Sequence, residues 1–170
     1  MPDFAADLAA ILHQEATLTF PSFDFDTAWQ LGTTLRGLAL ARGVGIVVDI
    51  RRFGSPHQQL FYTALPGTSP DSARWVQRKV NVVARFHRSS YQLGRYLGQN
   101  KISFADRYDL PAADYATHGG CFPITVEGTG IIGAVTVSGL PQREDHNLVV
   151  EAICLVTKRN YDDFRLPPEA

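Results

Sequence analysis

The stretch Cys121-Phe-Pro-Ile-Thr-Val126, then Glu127-Gly-Thr-Gly130, then Ile131-Ile-Gly-Ala-Val-Thr-Val-Ser138 decides the fold. β-Branched and aromatic residues fill both arms, and the link between them has hairpin length and carries glycines, so the segment predicts two paired strands. Pro123 has no N–H for a ladder bond, which places the first arm at a sheet edge or at a bulge. Beyond it, a helix is predicted from Pro141 or Gln142. Glu144 and Asp145 suit its positive end, and Val149, Ala152, Ile153 and Val156 form its buried side.

Working outward, Val44 to Arg51 is dense in β-branched residues and Gln59 to Leu65 can pair with it as a second hairpin across the Gly54 and Pro56 loop. In the first arm Val44, Ile46, Val48 and Ile50 point one way, and Gly45, Val47, Asp49 and Arg51 the other. Ser69-Pro70-Asp71 is a good helix start, with Ser69 as cap, and one long helix is predicted from there to about Leu97. Trp75, Val82, Val83, Phe86, Leu93 and Leu97 share its apolar side, whereas Lys79 and Ser90 fall inside that arc. Phe4, Leu8, Ile11 and Leu12 predict an opening helix over 1–16, Thr17 to Phe20 a brief strand, and Ala28, Leu31, Leu35 and Leu38 a helix capped by Asp26 or Thr27 and closed at Gly43. Residues 165–170 read as a loose tail.

The expected architecture is a single α/β domain of the α+β type over 1–170, with a mainly antiparallel sheet of about five strands flanked by helices. With 170 residues, 45% of them apolar, the chain can bury one sizeable core but not two independent ones. Lys and Arg total 16 against 17 Asp and Glu, so there is no chain-wide field to draw nucleic acid or an anionic membrane. The Met1-Pro2-Asp3-Phe4 start has no basic, apolar leader pattern and no apolar run reaches about 18 residues, so the expected location is the cytoplasm. Cys121 and Cys154, the two cysteines, form no CxxC pair and no disulfide framework.

No phosphate-binding, dinucleotide, zincin or nucleophile-elbow motif occurs, so the sequence carries no catalytic signature. His118-Gly-Gly-Cys121 spaces two soft-metal ligands without the further pair that tetrahedral zinc needs. Gly119-Gly120 could admit an anion to backbone N–H groups, or simply make a tight entry into the sheet. Lys79 needs either a ligand anion or a protein carboxylate, Asp49 or another, while Ser90 is expected to bond the Phe86 carbonyl. Arg51, Arg52, His57, Arg85 and His87 would make a cationic cleft if the first hairpin lies against the long helix.

Gly119-Gly-Cys-Phe-Pro-Ile124, Gly130-Ile-Ile-Gly-Ala-Val-Thr-Val-Ser-Gly139 and the Glu144-Asp145 helix start resemble the C-terminal signature of the GlcG/HbpS-like family, which carries the label haem-degrading domain. Arg78 to Ser90, His118-Gly-Gly and Ser138 to His146 are similar to an uncharacterised branch of it. The resemblance implies an antiparallel sheet flanked by helices, profilin-like or GlcG-like, assembled into homodimers or larger rings, and a protein that binds haem or another small anionic ligand. The residues assigned to that ligand are Lys79, Arg85, His87 and His118, with His87 or His118 facing iron and Lys79 and Arg85 meeting carboxylates. The alternative is an assembly or interaction module with no physiological small ligand. An enzyme using Lys79 or His118 as base ranks behind both.

Overall fold

The computed structural model describes residues 2–169. Met1 and Ala170, the outer residues of the expected opening segment and tail, lie outside the described residues. Four strands, β1 (Val47–Arg52), β2 (Gln58–Ala64), β3 (Cys121–Val126) and β4 (Gly130–Ser138), form one antiparallel sheet in the order β2-β1-β4-β3. Both expected hairpins are present. Pro123 lies on an edge strand, which tolerates its missing N–H, and the same strand carries a register shift at Ile124/Thr125.

The alternation read in β1 separates two cores. Val48, Ile50, Phe122, Ile124, Val135 and Val137 face helices α2 (Phe25–Arg42) and α6 (Gln142–Val156). Val47, Cys121 and Ala134 face Val76, Val80 and Val83 of helix α3 (Asp71–Phe86) on the other side. Because helices cover both faces, the central strands are apolar in both parities. Buried Ile11 and Tyr91 join helices α1 (Phe4–Thr17) and α4 (Ser90–Asn100) in a separate small cluster, and Phe104 on the short α5 (Phe104–Tyr108) packs in another with Val82 and Leu93.

Four sequence expectations are corrected. The fifth strand at Thr17 to Phe20 is reduced to one parallel bridge between Phe20 and Val126, because α1 runs through Thr17 and Pro21 removes the next donor. The long helix breaks at His87, which adopts φ 55 and donates its N–H to the Val83 carbonyl; Ser89 then caps α4 by accepting the Gln92 N–H at 3.2 Å. A serine cap within an amphipathic pattern does not disturb the pattern, so periodicity alone runs through it. At the helix ends, Asp24 caps α2 through the Thr27 N–H, and α3 starts after Pro70 with no side-chain cap. The segment 165–169 has no regular structure but is docked: buried Leu166 exchanges two hydrogen bonds with the Asn147 side chain, each 3.0 Å.

Candidate functional site

Lys79 is 2% exposed and its Nζ donates to the Asp145 carboxylate and to the Val137 carbonyl, both at 3.0 Å. α3 carries the lysine across the end of β4 to the first turn of α6, where Asp145 also accepts the Leu140 N–H at 2.9 Å. Burial lifts the Asp145 carboxyl above its ordinary range, opposed first by the Lys79 charge and then by the Leu140 N–H. Of the partners open to Lys79 in the sequence, a protein carboxylate is therefore the one present, and it is Asp145. Asp49 is taken by Arg51 at 2.8 Å and Gln59 at 2.7 Å. An ammonium has three donors, so Lys79 keeps one beyond these two bonds.

The glycine pair makes this convergence possible. A Cβ on Gly119 would strike the Gln142 carbonyl, and one on Gly120, which has φ 122, would strike the Val137 carbonyl and stand 2.8 Å from Lys79 Nζ. Side-chain-free backbone thus lets α6, β4 and the lysine close on one point, the tight entry into the sheet among the two roles weighed. Ser90 assists from α4: its Oγ accepts the Cys121 N–H at 3.1 Å, rather than bonding the Phe86 carbonyl, and fixes the start of β3. The Cys121 thiol is buried, accepts the Thr136 hydroxyl at 3.1 Å and is pushed up to about 12 by burial, so it is inert.

Above the ion pair lies a cleft of about 340 Å³ lined by Ser69, Ser72, Trp75, Lys79, His118 and Asp145, among others. His118 is exposed and meets the Trp75 ring edge-on at 5.1 Å, with the Arg78 guanidinium 4.7 Å from the Trp75 ring centroid. Partial desolvation, then the charges of Lys79 and Arg78, hold the His118 imidazole below its ordinary pKa, so it is neutral at pH 7. The cleft therefore offers an uncharged imidazole at its rim, an aromatic wall, the side chains of Ser69, Ser72 and Ser138, the Asp71 carboxylate and a buried ion pair at its floor.

Of the residues singled out in the sequence, the fold brings Lys79 and His118 together. Arg85 and His87 are exposed and do not line this cleft; His87 lies eight positions, about 12 Å of helix rise, beyond Lys79. Nor does a cationic cleft form from the others. Arg51 is committed to Asp49 and Gln77, Arg52 lies over Phe25 at 5.3 Å, and His57 Nδ1 accepts the Gly54 N–H at 3.1 Å. Among the described residues no group of three or more His, Cys, Asp or Glu side chains is placed to hold a metal ion. Sequence reading missed the Asp145 and Trp75 roles. Its one signal was the acidic first turn of α6, which also suits an ordinary helix start.

An open antiparallel sheet covered by helices on both faces, with a cleft between α3 and the α6 start, defines a single-domain α+β fold. The chain belongs to the HbpS-like haem degrading protein family, whose description matches residues 23–154. It is 57% identical over 163 residues to a UPF0303 protein of Acidobacterium capsulatum, covering 96% of this chain and 97% of the relative. To a UPF0303 protein of Paraburkholderia phymatum it is 52% identical over 164 residues, 96% of this chain and 98% of that one. Among solved structures, the Ybr137w protein superposes with TM-score 0.84 at 25% identity, covering 92% of each chain. PduOC in its complex with haem superposes with TM-score 0.65 at 19% identity over 78% of this chain and 94% of that one, a likeness of fold. Among the described residues no helix is long and apolar enough to cross a membrane.

Proposed function

We propose that the protein is a cytoplasmic homo-oligomer that binds haem or another small anionic ligand at the α3–α6 cleft, without assigned catalysis. The observation that carries this reading is the exposed His118 imidazole against Trp75 in one cleft with Lys79. A metal-facing histidine must be neutral, and the surroundings of His118 favour that state. Lys79 fits a ligand carboxylate through its remaining N–H only, because Asp145 already balances its charge. When bound, haem would supply iron for His118 to face. Arg85 and His87 would reach such a ligand only from a second copy of the chain. That PduOC, a protein of similar fold, was solved in complex with haem supports testing haem first.

The test is an absorbance titration of haem into the purified protein, with the assembly mass measured alongside. A saturable Soret shift that is lost in folded His118→Ala and kept in His87→Ala is the expected result. No shift beyond a nonspecific control would overturn the haem reading.

A second reading, an assembly module, is favoured by the exposed Phe25 and Trp29 of α2, 61% and 65% accessible, beside edge strand β2. The glycine pair cannot serve it, since Gly119 and Gly120 are buried inside the chain. A stable, colourless oligomer that dissociates in Trp29→Ser would support this alternative.

A further inference from the structure

At the end of the molecule where α1, α4 and α6 meet, two arginines are buried side by side. Arg95 is 5% exposed and Arg143 is 9% exposed. Asp7 of α1 takes one of the two charges: Arg143 Nη2 donates to both of its oxygens at 2.8 Å, and Arg95 Nη2 reaches Oδ2. The second charge is met by Glu169, whose side chain is 42% exposed and lies in the docked segment 165–169.

Glu169 is a poorly matched occupant. Its Oε1 alone serves Arg95 Nη1 at 3.0 Å, the Tyr91 hydroxyl at 3.4 Å and Arg143 Nε at 3.7 Å, the last too long for a hydrogen bond. Among the described residues, Arg95 Nε and Arg143 Nε and Nη1 are buried with no hydrogen-bond acceptor, and Arg95 Nη2 makes an ion-pair contact with Asp7 but no hydrogen bond. Buried guanidinium donors without acceptors are costly, and two adjacent forks fit an anion with several oxygens better than one tethered carboxylate can. There is room for one beside Arg143, although Arg95 lines neither space. A cavity of about 360 Å³ bounded by Asp7 and another of about 830 Å³ bounded by Asn147 both share Arg143, Leu166 and Glu169, so the segment lies between two spaces that reach the same arginine.

We infer that Arg95 and Arg143 form a second ligand site, distinct from the α3–α6 cleft, for a small oxyanion of the carboxylate or phosphate class, and that Glu169 is its tethered competitor. A group on a short tether acts at an effective concentration on the order of mM, so the free anion binds only after displacing it. Charge balance agrees. With Glu169 withdrawn, two guanidiniums face one buried carboxylate, leaving one positive charge for the incoming anion.

The experiment compares the full chain with Glu169→Gln, an exposed side chain whose replacement leaves the core intact, using sodium propionate and inorganic phosphate as separate probes by calorimetry at constant ionic strength in chloride. Removal of the competitor is expected to tighten binding of at least one probe by about tenfold or more. That gain is expected to vanish in Glu169→Gln/Arg95→Gln. Tightening by propionate alone marks a carboxylate site, and tightening by phosphate alone a phosphate site. Failure of both probes to bind Glu169→Gln more tightly than the parent chain overturns the inference, and needs no arginine variant to fold. Haem titration does not probe these arginines, so the α3–α6 reading stands or falls separately.

Discussion

Lys79 and Asp145 meet at 3.0 Å although their helices pack on opposite faces of the sheet. The pair closes the end of β4 and forms the floor of the candidate cleft, so fold and site share one contact.

Removing one partner should therefore be costly. Lys79→Met leaves a buried carboxylate unpaired and is expected to destabilise the protein by about 3–5 kcal/mol, whereas Lys79→Met/Asp145→Leu should recover most of that loss. Urea melts of the two variants check it. Equal losses would mean that packing, not charge, sets the cost.

Gly120 holds φ 122 where a Cβ would meet the Val137 carbonyl. Gly120→Ala should lose about 1–3 kcal/mol from backbone strain, with further loss from the clash. A thermal midpoint unchanged from the parent would contradict this placement.

Ser90→Ala leaves the buried Cys121 N–H without its acceptor, an expected loss of about 1–3 kcal/mol. Amide hydrogen exchange should show the Cys121 N–H losing protection before its strand neighbours do.

Acid should weaken the fold through His146, which is fully buried with Nε2 on the Gln14 side-chain oxygen at 2.8 Å and is pushed down to about 3 by burial and then by Arg143. The unfolded chain takes up a proton near the ordinary histidine pKa of 6.5 that the folded chain refuses. Stability is therefore full above that pH and falls as pH drops toward about 3, by about 1.4 kcal/mol per pH unit. His146→Gln should flatten this limb in urea melts between pH 7 and 5.

Both thiols should be silent toward a thiol reagent in the native state and react on unfolding, since Cys121 and Cys154 are buried and pushed up to about 12 and about 11. Fast labelling of native protein would show that the strand end around Cys121 opens.

Much of this arrangement was legible in the residues themselves. Alternation in Val44 to Arg51, the Glu127-Gly-Thr-Gly130 link and the missing N–H of Pro123 determine two hairpins and an edge, because strand parity and hydrogen-bonding capacity are local properties of a chain. The family signature likewise lies in contiguous residues. Lys79 stood out because an ammonium within an apolar arc must find a partner.

Which partner it finds was decided only by tertiary structure. Asp145 is 66 residues away and reaches Lys79 because two glycines let three backbones approach. Arg85 and His87 lie six and eight positions beyond Lys79 at the far end of α3 and do not line the cleft, while the loop before β3 returns His118 to Trp75. The Asp7, Arg95, Arg143 and Glu169 cluster draws on four segments far apart in the chain, so no local pattern brings them together. Periodicity specifies which face of an element is buried, but the direction in which buried charges are paired depends on how those faces dock.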